Sequence, residues 1–339
     1  MDCRDAENIP YLTPSRPGLV LAPMEGVMDA PMRAFLTSGG AFLFCVSEFI
    51  RVSSEVTPIK VFHRDVPEIC GNAATPAGTP VQVQILGGHP GRMAESALNA
   101  IAAGAKGVDI NFGCPAKTVN RHDGGASLLR SPCRILEIVS TVRQAVPKKY
   151  PVSVKVRLGW ESTTDIFQTA EMVAKAGASW LTIHGRTRLQ GYAPPVYWEP
   201  IGEVRKLLDM PVVANGDIWT LDDFKRCREV TGCDHFMLGR SVVANPSLSV
   251  QIAKELGMTV VTPDGFPLAN APTDWEPAIQ SLVGFYQGTS RSDDFLLRRV
   301  KQWIRMASAK GEVDWFDHIK RSESLSQLMS RLRVPVESL

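Results

Sequence analysis

The sequence predicts an α/β chain: a (β/α)8 barrel of the TIM type followed by a small C-terminal helical domain. Three observations carry this. Eight short apolar or β-branched runs alternate with helix-length stretches over the larger, N-terminal part of the chain. Polar residues gather at the C-terminal ends of those runs, where barrels build their sites. The first run leads into Pro23-Met24-Glu25-Gly26 and no G-x-G-x-x-G occurs, which disfavours the doubly wound open sheet that usually carries it.

Residues 1–18 are polar and lack the apolar stretch of a signal peptide, so they read as a loosely ordered extension. Strands are expected at 19–22, 42–46, 81–86, 108–110, 152–156, 180–183, 211–214 and 235–238. Helices fit between several of them, at 91–103, 133–145, 164–176 and 221–229. The alternation ends near residue 256, giving a barrel of residues 19–256. Gly257, Pro263, Gly265, Pro267 and Pro272 then mark a linker over 257–276. Beyond it Leu296, Val300, Trp303, Ile304 and Ala307 share one helical face, and 277–339 reads as the helical domain.

The composition narrows the class. The 339 residues are 44% hydrophobic and 21% charged, enough for one large core and a smaller one and unlike a disordered chain. No apolar run is long enough to cross a bilayer, so no membrane association is expected. Seven cysteines without a C-x-x-C pair indicate neither a disulfide framework nor a metal site, and reduced thiols fit a cytoplasmic protein. A net charge of only +2 means that any nucleic-acid contact must come from a local basic patch.

The stretch 107–120 is the densest in chemistry. An apolar strand runs into Asn111, and the turn Gly113-Cys114-Pro115 sets a thiol and a carboxamide at its mouth. Cys114 alone is equally a small buried hydrophobe. The other strand ends supply its company: Pro23-Met24-Glu25, Ser47-Glu48, Gln84, Lys155 with Arg157, His184-Gly185-Arg186, Asn215-Gly216-Asp217 and Gly239-Arg240. Such a ring is hard to explain as packing, because buried polar groups cost free energy unless paired. The ends of strands seven and eight read as a phosphate cradle, with two ordinary strand-to-helix turns as the alternative. Lys155, inside an apolar run, needs either an ionic partner such as Glu25 or Asp109, or a cofactor that becomes anionic on reduction. His184 reads as an anion contact rather than a structural histidine, whereas His122 and Asp123 read as solvated. In the C-terminal helix Arg298, Lys301 and Arg305 share one flank and Arg299 lies on the other, a stripe that is either solvated or phosphate-contacting.

Seven motifs in order then resemble the dihydrouridine synthases, flavin enzymes that reduce uridine in tRNA. They are Leu-Ala-Pro-Met-Glu-Gly at 21–26, Val-Gln-Ile-Leu-Gly at 83–87, Asp-Ile-Asn-Phe-Gly-Cys-Pro at 109–115, Val-Lys-Val-Arg at 154–157, His-Gly-Arg-Thr at 184–187, Ala-Asn-Gly-Asp-Ile at 214–218 and Leu-Gly-Arg at 238–240. Glu-Phe-Ile-Arg-Val at 48–52 and Val-Lys-Gln-Trp at 300–303 are most similar to the C-type branch, which implies uridine 16 of the D-loop. The resemblance implies bound FMN, NADPH as transient reductant, tRNA as partner and a monomer. It implies Cys114 as the catalytic acid. It implies Pro23, Met24 and Glu25 along the flavin ring, Gln84 and Lys155 on the isoalloxazine, and His184, Asn215, Gly216, Asp217, Gly239 and Arg240 on the ribityl phosphate side. Asn111 would bond the uracil, and Arg51, Tyr192, Arg299, Lys301 and Lys320 match expected tRNA contacts. The chain departs from the branch at Asp217, where Glu is usual, at Phe112 and Ala116 beside the cysteine, and in a longer linker.

Two rival readings remain at this level. One is a flavin barrel acting on a free metabolite, like a dihydroorotate dehydrogenase; the basic helical domain argues against it. The other is a catalytically silent RNA-binding barrel, against which the complete ring of cofactor-type residues argues.

Overall fold

The computed structural model describes residues 12–13, 15–116, 124–262, 266 and 275–333. Eight strands close a parallel barrel in chain order: β1 (Gly18–Leu21), β2 (Phe42–Arg51), β3 (Val81–Leu86), β4 (Val108–Phe112), β5 (Val152–Arg157), β6 (Leu181–His184), β7 (Val212–Asn215) and β8 (His235–Leu238). The helices between them are α1 (Ala30–Thr37), α2 (Ile59–Asp65), α3 (Pro90–Ala102), α4 (Pro132–Ala145), α5 (Asp165–Lys175), α6 (Glu199–Leu207) and α7 (Leu221–Thr231). After β8 come α8 (Arg240–Ala244) and α9 (Ser247–Glu255), then α10 (Trp275–Tyr286), α11 (Asp293–Ser308), α12 (Phe316–Ile319) and α13 (Leu325–Leu332). Most expected strands and helices lie within a residue or two of their observed positions.

The second strand is a correction. It was expected over 42–46 and runs on to Arg51, because a register shift between Val46 and Phe49 absorbs the polar pair Ser47-Glu48 that breaks the apolar run. Ser47 is used there: its Oγ accepts from the backbone N–H of Gln84 at 3.1 Å. The N-terminal extension lies largely outside the described residues, as do much of the expected linker and the pair His122 and Asp123.

Alternation along the strands sorts the barrel into two cores. Leu19, Leu21, Val108, Ile110, Val154 and Val156 face outwards into the large core beneath the helices. Val20, Ala22, Phe44, Val46, Trp180, Val213 and Met237 form a second, inner cluster that Leu12 joins. Phe44 and Trp180 pack at a tilt inside it, with ring centroids 5.4 Å apart. The same alternation gives the remaining inner positions to polar side chains: Gln82, Gln84, Asp109, Asn111, Ser153, Thr182, His184 and Asn215 are all buried.

The C-terminal helices dock on one side of the barrel. Trp303 meets Phe35 of α1 at 5.0 Å and Trp275 at 5.1 Å between ring centroids, and its Nε1 donates to the carbonyl of Val243 at 2.7 Å. Leu296, Val300, Trp303, Ile304 and Ala307, the expected apolar face, are all buried.

Candidate active site

Strand register builds the site in tiers. Gln84 pairs with Asp109 across β3 and β4, and Asp109 with Ser153 across β4 and β5. Two residues further along, Asn111 pairs with Lys155; at the rim, Arg157 pairs with His184 and His184 with Asn215. Together with the loops beyond the strand ends, these tiers enclose a cavity of about 480 Å³.

The residues singled out in the sequence converge on it. Pro23, Met24, Glu25, Gln84, Cys114, Lys155, His184, Asn215, Gly216, Asp217, Gly239 and Arg240 all line the cavity, with Asn111 and Tyr192. Four others lie elsewhere. Arg51 is exposed at the end of β2. Lys301 donates to the carbonyl of Ser322 at 2.5 Å, and exposed Lys320 pairs with Asp317 at 2.8 Å. Arg299 is buried and bound to the β1–α1 loop: it pairs with Asp29 at 2.6 Å and donates to the carbonyl of Gly26 at 2.7 Å.

Lys155 resolves one open alternative. No described carboxylate lies within ion-pair distance of it, and its side chain lines the cavity. Burial and the neighbouring Arg157 lower its ammonium to about 8, while Asp109 pulls the other way. His184 is held neutral, its pKa lowered well below the usual histidine value by burial and by Arg157 and Lys155. Among the described residues its buried Nδ1 has no hydrogen-bond partner, an orphaned atom at a cavity wall.

At the far end, Gly216 has φ +119°, a conformation that excludes other side chains, and Asp217 follows at φ +49°. The Asp217 carboxylate takes both Nη groups of Arg186 and Nη2 of Arg240 at 3.2 Å. Burial alone would raise this carboxyl, but the two arginines bring it below its ordinary value. Gly239 keeps the wall thin: a Cβ there would meet Ala22 Cβ at 3.3 Å and Met24 Sδ at 3.4 Å.

Cys114 is partly exposed at the mouth, and burial raises its thiol pKa, so the sulfur is protonated at neutral pH. Asn111 Oδ1 accepts from the backbone N–H of Gly113 at 2.8 Å and of Cys114 at 3.0 Å, which fixes the turn.

Sequence reasoning placed Arg157 among the strand-end residues without giving it a role, and did not name Trp219 or Met306, which also line the cavity. Arg157 donates to the carbonyls of Gly113 at 2.9 Å and Gly191 at 2.7 Å, bracing the cysteine turn, and lies over the Tyr192 ring at 5.2 Å. Its place on the Lys155 face of β5 was the available signal. Trp219 takes Arg240 over its ring at 5.4 Å. Met306 comes from α11.

Cations outnumber carboxylates in this arrangement. It suits a ligand carrying negative charge at the Arg240 end, with a protonated thiol and a lysine at the other. Among the described residues no group of three or more His, Cys, Asp or Glu could hold a metal ion, and no helix is long and apolar enough to cross a membrane.

Comparison with known proteins bears directly on this site. The family model for dihydrouridine synthase matches residues 20–282, the barrel and the first of the C-terminal helices. The chain belongs to the dihydrouridine synthase family. It is 45% identical over 288 residues to the tRNA-dihydrouridine(16) synthase of Shewanella oneidensis, covering 84% of this chain and 87% of that one. It is 39% identical over 325 residues to the tRNA-dihydrouridine(16) synthase of Pseudomonas putida, covering 95% and 98%. Among solved structures it resembles histamine dehydrogenase from Rhizobium sp. 4-9, with TM-score 0.54, 14% identity and coverage of 79% of this chain and 48% of that one. It also resembles the old yellow enzyme homologue from Zymomonas mobilis, with TM-score 0.51, 15% identity and coverage of 74% and 95%. At that identity the structural likeness speaks for the barrel alone.

Proposed function

We propose that this dihydrouridine synthase reduces uridine 16 of tRNA, with FMN as resident cofactor and NADPH as electron source. One observation carries the reading: a single cavity joins Cys114 and an ionically unpaired Lys155 to the Arg240 end. That is the residue set a flavin and a uracil need side by side.

The residues fit FMN. Lys155 offers an ammonium to an isoalloxazine that gains negative charge on reduction, and Gln84 stands one tier below it. Arg240 and the Gly216 turn receive the phosphate side, and the orphaned Nδ1 of His184 gains a partner when the cavity fills. When bound and reduced by NADPH, FMN would supply the hydride for C6 of the uracil. Cys114 gives its Sγ proton to C5, which completes saturation of the C5–C6 bond. The raised thiol pKa keeps that proton in place until it is needed. Asn111 has its Oδ1 occupied by two backbone donors and one Nδ2 hydrogen on Gln84. The remaining Nδ2 hydrogen is what it offers a base carbonyl. The base must leave its stack to reach this depth.

The helical domain, residues 277–339, supplies the RNA platform, with Lys301, Lys320 and the exposed Arg298 and Arg305 towards phosphates. Tyr192, which lines the cavity, and exposed Arg51 at the end of β2 extend that track. The protein works as a cytoplasmic monomer.

The test is single-turnover reoxidation of the NADPH-reduced protein by unmodified tRNA, followed by mapping of dihydrouridine. Product at position 16 supports the reading. Reduced protein that tRNA leaves unoxidised, or product at another position, overturns it or its site assignment.

A further inference from the structure

A buried hydrogen-bond chain beneath the cavity has only one consistent sense. The backbone N–H groups of Gly113 and Cys114 can only donate, so Asn111 turns Oδ1 towards them. Its Nδ2 therefore faces Gln84, and donates to Gln84 Oε1 at 2.9 Å. Gln84 must then present Nε2 downward, where it donates to Asp109 Oδ2 at 2.7 Å. The other carboxylate oxygen, Oδ1, takes the hydroxyl of Ser153 at 2.5 Å, and Ser153 Oγ in turn accepts from Gln82 Nε2 at 3.0 Å. All these side chains are buried, Gln84 and Ser153 completely and Asp109 to within 2%.

We propose that Asp109 is a positioning residue of this active site: by accepting from Gln84 it locks from below the two successive carboxamides that the Gly113 and Cys114 N–H groups orient from above, and so steadies the backbone of the Cys114 turn. An amide can flip by 180° at little cost in shape, so Gln84 and Asn111 do not orient themselves. The Gly113 and Cys114 N–H groups hold one sense from above and the Asp109 carboxylate, accepting from Gln84, holds it from below, so without that acceptor the chain is anchored at one end alone. Burial pushes the Asp109 carboxyl up to about 6, against the hydrogen bonds from Ser153 and Gln84 and the charge of Lys155. It is therefore mostly ionised, and accepting at both oxygens, at neutral pH.

The chain also dictates what substitution does. Asparagine at this position can keep an oxygen on Gln84 Nε2 while turning its amide to Ser153. A flip of the Gln82 amide would turn its Oε1, buried without a partner among the described residues, to the displaced Ser153 hydroxyl. Asp109→Asn thus preserves the orientation of Gln84, whereas Asp109→Ala abandons it.

The experiment has two arms, of which only the second rests on the functional reading above. In the first, flavin-free protein is treated with iodoacetamide and the alkylation rate of Cys114 is followed by peptide mass spectrometry, which separates it from the exposed Cys70 and Cys133. Asp109→Ala should change that rate severalfold, and Asp109→Asn by less than about twofold. In the second, reduced holoprotein is reoxidised by unmodified tRNA. Asp109→Ala should slow this about tenfold or more, as displaced reacting groups do, with tRNA affinity within about twofold of wild type. Asp109→Asn should recover most of the loss. Should Asp109→Ala fail to fold, Gln84→Met cuts the same chain one link higher and should reproduce both effects. The proposal is overturned by an Asp109→Ala or Gln84→Met protein with wild-type Cys114 alkylation, or by an Asp109→Asn protein as impaired as the alanine variant. Wild-type protein that tRNA does not reoxidise would sink the functional reading and leave the alkylation arm to decide the positioning claim.

Discussion

Arg299 of α11 and Asp29, the N-cap of α1, form an ion pair at 2.6 Å across 270 residues of chain. Tyr286 of α10 donates its hydroxyl to the same carboxylate, at 2.8 Å to one oxygen and 2.9 Å to the other. Arg299 Nη1 and Gln302 Nε2 both reach the carbonyl of Gly26, which closes the Pro23-Met24-Glu25 turn. The helical domain is thereby fastened to the loop that walls one side of the cavity.

Breaking that fastening should cost stability before it costs affinity for RNA. Removing one partner of a buried ion pair leaves the other uncompensated, at about 3 kcal/mol. Arg299→Ala and Asp29→Asn should each lower the thermal midpoint by several degrees and loosen flavin retention. An Arg299→Ala protein with an unchanged midpoint but weaker tRNA binding would make Arg299 an RNA contact instead.

Cys114→Ala should separate the two half-reactions. Flavin reduction by NADPH survives, because the thiol has no part in it. Reoxidation by tRNA slows by roughly 10²–10⁴-fold, the weight of a positioned acid. Cys114→Ser should behave nearly as badly, since a hydroxyl is a far weaker acid. Wild-type reoxidation in either variant would remove the thiol from the chemistry.

Lys155 makes cofactor binding pH-dependent. In the empty cavity its ammonium loses its proton near pH 8. The negative charge of a reduced isoalloxazine beside it raises that value, so binding of reduced FMN takes up a proton between the two. Affinity for reduced FMN should therefore hold below pH 8 and fall as pH rises above it. Calorimetry in buffers of different ionisation enthalpy measures the uptake, and Lys155→Met should abolish it. Equal uptake in wild type and variant would place the titrating group elsewhere.

Lys301 and Lys320 test the RNA platform. Each lost phosphate contact should flatten the dependence of log affinity on log salt by about one unit of slope. The double alanine variant should bind FMN normally and lose that slope. Unchanged slope would make the stripe a solvated face.

Much of the barrel was legible because its strands are short and rich in apolar and β-branched residues, unbroken in β1 and at every second position in β3 and β5. The far half of β2 was not, since Ser47-Glu48 interrupts the run and only a bulge, invisible in local pattern, carries the strand past it. The cavity residues stood out as polar side chains at strand ends, where packing gives them no reason to be. Arg157 and Arg186 were visible as residue types, but their work is set by the Gly113 carbonyl and by Asp217, partners that only the closed barrel supplies. Arg299 fell on the flank of an amphipathic helix, and nothing in that periodicity points to an aspartate near the other end of the chain.

Met306 adds a consequence of its own. A side chain from the C-terminal helices forms part of the cavity wall, so the two segments of this protein are not interchangeable modules. A chimaera that borrowed a relative's helical segment to redirect RNA choice would inherit that relative's residue at this position of the cavity wall. Exchange of target and tuning of chemistry are therefore one evolutionary step in this architecture.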